Sequence, residues 1–194
     1  MRRICVFTGS NVGKRPAYER AAIEMGQALN ARDLGLVYGG GRAGLMGVVA
    51  DSVFSHGGEV IGVIPTHLFP REIANPNVTQ LHEVGSMHER KALMEEVSDG
   101  FIALPGGFGT FDELFEILTW AQLGIHHKPV GLLNVEHYFD PLLALVEHCV
   151  VEGFVKPAHA DLLIVKENPD ALLDAFMAYV PPEDVEKWDD LPKA

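Results

Sequence analysis

Short apolar runs rich in β-branched residues recur along the chain between stretches with helical spacing: Ile4 to Phe7, Leu36 to Tyr38, Val60 to Ile64, Phe101 to Leu104, Val130 to Leu133 and Leu162 to Val165. Such runs, without polar alternation, suit strands covered on both faces. Their alternation with helical segments predicts an α/β fold whose sheet is mostly parallel and flanked by helices. Pro16 suits the first turn of a helix reaching about Arg32, and Pro169 to Tyr179 predicts a last helix. Crossovers between parallel strands are expected to be right-handed. From Thr66 to Thr79, with Pro70, Asn75, Pro76 and Asn77, no period is visible. This stretch reads as a surface loop over the carboxyl ends of the strands, where ligand-binding loops gather. Pro181 to Ala194, with adjacent prolines and mixed charge, reads as an extended or partly disordered tail, leaving residues 1–180 as a single domain.

Composition narrows the class. The chain has 194 residues, 47% of them apolar, enough for the core of one ordinary domain. Its formal charge of −12 argues against a nucleic-acid or anionic-membrane partner, so an anionic ligand must depend on local positive potential. Cys5 and Cys149 fit neither a disulfide framework nor metal spacing, which points to a reducing, cytoplasmic setting. Met1 to Thr8 is too short in apolar residues for a signal segment, and no run approaches the roughly 20 residues that span a bilayer.

The most informative stretch is Leu104-Pro105-Gly106-Gly107-Phe108-Gly109-Thr110-Phe111-Asp112-Glu113, a turn between a predicted strand and an amphipathic helix. Its glycines leave the backbone unobstructed, so successive N–H groups can converge on a phosphate at the positive end of the helix. Gly106, Gly107, Phe108, Gly109 and Thr110 are therefore candidate phosphate contacts. Glu113 adds a carboxylate within reach of the same small ligand. Upstream, Met87-His88-Glu89-Arg90-Lys91 sets two cations at the head of another helix.

Each of these has an ordinary structural reading. Thr110 to Glu113 matches a capping box, with Thr110 as N-cap and Glu113 reaching back to it. Arg90 and Lys91 could form a solvated face, Lys91 pairing with Glu95 one turn on. Gly39-x-Gly41-x-x-Gly44 satisfies a dinucleotide fingerprint, but the strand Val60 to Ile64 ends in Pro65-Thr66 where a ribose-binding acid should stand. Gly39, Gly41 and Gly44, with Gly40 beside them, are expected to be scaffold that also lines a nucleotide pocket. Gly9 to Arg15 is one residue short of a P-loop and lacks its Ser/Thr; Gly9 and Ser10 are expected near the ligand in a first βα turn. Nine histidines include no His-Glu-x-x-His, and adjacent His126 and His127 cannot share a helix face, so no metal site is expected. Met87, beside Arg90, is a candidate contact for a flat purine.

Met87-His88-x-Arg90-Lys91 followed by Pro105-Gly106-Gly107-x-Gly109-Thr110-x-x-Glu113 resembles the LOG ("lonely guy") family of cytokinin riboside 5'-monophosphate phosphoribohydrolases. The likeness extends through Tyr38-Gly39-Gly40-Gly41-x-x-Gly44-Leu45-Met46-Gly47, Ile61 to Pro65 and Trp120 to His126, covering most of the chain up to about Phe154. Asp112 stands where many relatives have Glu, and Thr8 where Cys is frequent; no signature residue is lost. The resemblance implies a single-domain Rossmann-like α/β hydrolase with catalytic Arg90 and Glu113, and substrate contacts at Lys91, at Glu72 in the Thr66–Thr79 loop and at Thr119. It also implies a homodimer with the active site near the interface. The apolar residues Met94, Phe115, Leu118, Trp120 and Leu123, spread around two helices, agree with a need for a partner.

The expected reaction is hydrolysis of the N-glycosidic bond of N6-modified adenosine 5'-monophosphates to free base and ribose 5-phosphate, with no cofactor required. Asp112 is a candidate acid for the departing base or a charge favouring the helix N-terminus. The alternatives are a broader AMP or purine nucleotide nucleosidase and a non-catalytic nucleotide-binding module. A decarboxylase label attached to relatives finds no pyridoxal-phosphate lysine with supporting residues here.

Overall fold

The computed structural model describes residues 1–66 and 74–182. Strands β1 (Arg3–Phe7), β2 (Gly35–Tyr38), β3 (Val60–Pro65), β4 (Gln80–Val84), β5 (Gly100–Ala103), β6 (Val130–Leu133) and β7 (Leu163–Lys166) form one sheet in the order β4-β3-β2-β1-β5-β6-β7. Every pairing is parallel. The helices are α1 (Pro16–Asn30), α2 (Gly44–Ser55), α3 (Met87–Glu96), α4 (Phe108–Gln122), α5 (Asp140–Val151), α6 (Pro157–Ala160) and α7 (Pro169–Met177).

Successive strand residues point to opposite faces, and each face has its own core. Ile4, Val6, Ile102 and Leu104 pack with Met25 and Leu29 of α1, Leu45 and Val49 of α2, and Leu172 and Phe176 of α7. Cys5, Phe7, Phe101 and Ala103 pack with Met94 of α3, Leu114 and Ile117 of α4, and Phe139. Met94 is thus a core residue rather than part of a surface awaiting a partner.

The apolar runs foretold every strand except β4. Gln80-Leu81-His82-Glu83-Val84 closes one edge of the sheet and is half-buried at best, so it carries polar side chains and lacks the run that marks a central strand. The expected loop before it and the expected tail lie partly outside the described residues, at 67–73 and 183–194.

From β1 the sheet grows outward through β2, β3 and β4, and β5 then starts on the other side of β1. The register Ile4↔Gly100 to Phe7↔Ala103 brings both strands to their carboxyl ends side by side. At such a reversal the loops leaving two adjacent strands diverge and open a crevice, the usual ligand site of a doubly wound sheet.

Candidate active site

The loops leaving β1 and β5 are laced together at this crevice. Leu104 N–H donates to Phe7 O at 2.9 Å, Gly9 N–H to Pro105 O at 3.2 Å, and the Thr8 hydroxyl to the same Pro105 oxygen at 3.1 Å. Gly106 must be glycine here: a Cβ would stand 2.1 Å from Thr110 Oγ1 and 2.8 Å from Gly9 N. At Gly107 and Gly109 a Cβ would meet nothing within 4 Å, so their missing side chains leave space open over the start of α4.

Gly107 is the N-cap of α4, and Phe111 N–H donates to Gly107 O at 3.1 Å. Thr110 therefore lies inside the first turn, and the capping box expected from the sequence does not form. Glu113 is not an N3 residue reaching back to a cap. It sits nearly one turn further on, buried at 6% exposure, facing the sheet end. The backbone N–H groups of Phe108, Gly109 and Thr110 belong to the helical first turn, which has no intrahelical acceptors for them.

Arg90, from the first turn of α3, is likewise buried, and its Nη2 lies 2.9 Å from Glu113 Oε1. Ser86 caps α3 by accepting from Glu89 N–H at 3.1 Å, which fixes where that first turn begins. Met87 Sδ approaches Arg90 Nη1 at 3.7 Å. Burial, the largest influence, pushes the Glu113 carboxyl above the ordinary glutamate value, and the Arg90 charge opposes that rise without cancelling it. Among the cleft-lining side chains, Arg90 Nε and Thr110 Oγ1 are buried without a hydrogen-bond partner among the described residues. Orphaned buried donors cost free energy, so their presence at the foot of an open cleft suits a site that a polar ligand completes.

The cleft has a volume of about 260 Å³ and is lined by Thr8, Gly9, Ser10, Gly39, Gly41, Met46, Ile64, Arg90, Gly107, Phe108, Gly109, Thr110 and Glu113. A second lobe of about 220 Å³ shares Gly9, Ser10 and Gly107 with it and adds Gly106, Tyr18, Leu45 and Tyr138. Among the described residues no group of three His, Cys, Asp or Glu side chains could hold a metal ion.

Of the residues expected from the sequence, Gly9, Ser10, Gly41, Arg90, Gly107, Phe108, Gly109, Thr110 and Glu113 meet in the cleft, and Gly106 borders the second lobe. Gly40 does not line it: with φ +74° it makes the turn after β2 and faces Ile64 and Leu81. Lys91 turns away, its Nζ lying 2.8 Å from Glu116 and 3.2 Å from Asp112, so it joins α3 to α4. Asp112 is thereby on the outer side of α4 and does not border the cleft. Thr119 is exposed and donates its hydroxyl to Phe115 O at 2.6 Å. Met87 reaches the site only through its contact with Arg90. Glu72 lies outside the described residues. Gly39, expected as scaffold that also lines the pocket, is a cleft wall, whereas Gly44 is not; sequence reasoning missed Met46, Ile64 and Thr8, although Met46 sits within the quoted Tyr38–Gly47 segment. It also missed Tyr138, which no motif marked.

A family model described as "Possible lysine decarboxylase" matches residues 46–176. The "Probable cytokinin riboside 5'-monophosphate phosphoribohydrolase LOGL9" of Oryza sativa subsp. japonica is 54% identical over 180 residues, covering 93% of this chain and 79% of that protein. The "Cytokinin riboside 5'-monophosphate phosphoribohydrolase LOG1" of Arabidopsis thaliana is 51% identical over 180 residues, covering 93% of this chain and 84% of that protein. Among solved structures, a molybdenum cofactor binding protein from Rippkaea orientalis superposes with a TM-score of 0.70 at 20% identity, over 92% of this chain and 97% of that one. The molybdenum cofactor carrier protein of Chlamydomonas reinhardtii gives 0.69 at 20% identity, over 92% and 99%. These structures share the Rossmann-like α/β fold. The sequence relatives go further, since half of all positions agree over nearly the whole chain: the protein belongs to the LOG family.

Proposed function

We propose that this protein is a cytokinin riboside 5'-monophosphate phosphoribohydrolase, hydrolysing the N-glycosidic bond of N6-modified adenosine 5'-monophosphates to free base and ribose 5-phosphate. The observation that carries this reading is the buried Arg90–Glu113 pair, 2.9 Å apart, beside an open helix N-terminus in one cleft. The names of its relatives supply the substrate class.

In the proposed reaction the phosphate lies against the Phe108, Gly109 and Thr110 amides, where the helix dipole favours negative charge, and the Thr110 hydroxyl gains a partner. Binding the unreacting end in this way places the anomeric carbon near Glu113. As the C1'–N bond breaks, its electron pair leaves with the base and positive charge develops on the ribose. Ionised Glu113 stabilises that charge, then takes a proton from the water whose oxygen bonds to C1'. The departing base takes a proton from solvent, and Glu113 returns its own to solvent, so that each turnover consumes one water and restores the carboxylate. Arg90 keeps Glu113 ionised and oriented, and its unpartnered Nε is free to donate to the ribose or phosphate.

Homodimerisation and a cytoplasmic setting belong to the same proposal. Helix α5 has no fully buried residue: Leu142 and Leu143 pack partly against the core, while Leu145 and Val151 are exposed. Phe115 of α4 is 40% exposed and Phe108, at the cleft rim, 93%. A second copy covering such faces would enclose the mouth of the cleft and bring exposed Thr119 near a substrate site. No helix among the described residues is long and apolar enough to cross a membrane.

Chromatography of N6-isopentenyl-AMP and of AMP incubated with the protein tests the reaction. Base and ribose 5-phosphate should appear in equal amounts from the N6-modified nucleotide, with AMP turned over more slowly. Equal turnover of both would favour the broader nucleosidase; binding without base release would favour a non-catalytic module.

A further inference from the structure

We infer that Tyr138 is a positioning residue for the phosphate site, holding the Gly106–Gly107 peptide in the orientation that turns its N–H toward the cleft. The inference rests on the phosphate-binding reading above and concerns a residue that no motif singled out.

The Tyr138 hydroxyl donates to Gly106 O, across 32 positions of sequence. In a trans peptide the C=O and the following N–H point in opposite directions, so fixing Gly106 O on Tyr138 fixes Gly107 N–H on the other side. The geometry of the lobes agrees. Tyr138 and Gly106 border only the second lobe, whereas Gly107 also borders the lobe that holds Arg90 and Glu113. A peptide flanked by two glycines has little steric bias of its own and can rotate at small cost, so an outside hydrogen bond decides its orientation.

Much of the loop after β6 serves to hold Tyr138. Buried Asn134 accepts from Phe139 N–H at 2.8 Å and donates to Asp140 Oδ1 at 2.8 Å, closing the loop across its base. Within it Glu136 and His137 take φ values of +52° and +58°, a left-handed backbone that non-glycine residues rarely adopt. Arg15, at the head of α1, lies 3.4 Å from Glu136. The Tyr138 ring is edge-on to Tyr18 at 5.7 Å and to Phe139 at 5.0 Å, so its direction is set by packing independently of the hydroxyl.

The test is Tyr138→Phe, which keeps the ring contacts and removes only the donor. With wild type and variant, binding of AMP, ribose 5-phosphate and adenosine is measured by calorimetry, together with kcat and KM for N6-isopentenyl-AMP. One lost hydrogen bond should weaken both phosphorylated ligands about 3- to 10-fold and raise KM accordingly, with adenosine binding unchanged and the melting temperature lowered only slightly. Unchanged AMP binding, equal weakening of AMP and adenosine, or failure of the variant to fold would each overturn the assignment. A wild-type protein that binds AMP no better than adenosine would instead remove the phosphate site itself, and this role with it.

Discussion

Gly39 exists where Arg90 needs room: a Cβ at Gly39 would stand 2.1 Å from Arg90 Nη2, the nitrogen that pairs with Glu113. The end of β2 is thus shaped around a side chain from α3, and the ion pair depends on a missing methyl group. Gly39→Ala should leave the fold intact, because the clashing atom is the mobile end of Arg90. It should also push the guanidinium off Glu113, lowering kcat/KM by roughly 100-fold. A steady-state assay beside a melting curve checks this, and wild-type activity in the variant would show that the pairing is dispensable.

The pH profile should carry the mark of Glu113. Its pKa is raised by burial, so the proposed base loses its charge at a higher pH than an ordinary glutamate would, and kcat/KM should fall on an acidic limb above about 4.5. Arg90→Met removes the chief influence holding that pKa down and should move the limb to higher pH. For stability the sign is opposite to the usual acid case. The folded state binds this proton more tightly than the unfolded one, so the contribution of Glu113 becomes less favourable as pH rises from the unfolded pKa through the folded one. A limb at or below the ordinary glutamate value would contradict the assignment.

The 5'-phosphate should be obligatory. The open first turn of α4 and the Thr110 hydroxyl offer their contacts to that group, so the free riboside should have a kcat/KM lower than the monophosphate by roughly 100-fold or more. Comparable specificity constants would remove the phosphate from the site.

Assembly is open to direct measurement. Light scattering over a dilution series should report about twice the 21.2 kDa chain mass, and Phe115→Glu should lower both mass and activity. A fully active monomer would refute the proposed interface.

The central strands and the carboxyl-edge site were legible because they rest on local patterns. Val60 to Ile64 needs no context to read as a buried strand, and Gly106-Gly107-x-Gly109 before an amphipathic helix reads as an anion turn. What escaped depended on distant partners. β4 gave no apolar run because an edge strand shares its surface with solvent. Thr110 matched a cap by residue type, but the chain enters the helix earlier, at Gly107. The charges of Arg90 and Lys91 were visible and their fates were not: adjacent on α3, they point apart, one into the cleft and one to Asp112 and Glu116. Tyr138 meets Gly106 only after the sheet has placed β5 beside β6.

Glu113→Gln tests the central claim most directly. Gln keeps the shape and can still accept from Arg90, so the variant should fold with a loss of about 1–3 kcal/mol from the weakened charged hydrogen bond. It has no anionic oxygen for the developing charge or the water proton. Release of base from N6-isopentenyl-AMP, followed by chromatography, should drop by about 1,000-fold or more per folded molecule while AMP still binds. Base release near the wild-type rate from folded Glu113→Gln would show that the Arg90–Glu113 pair is structural and that the chemistry, if any, lies elsewhere.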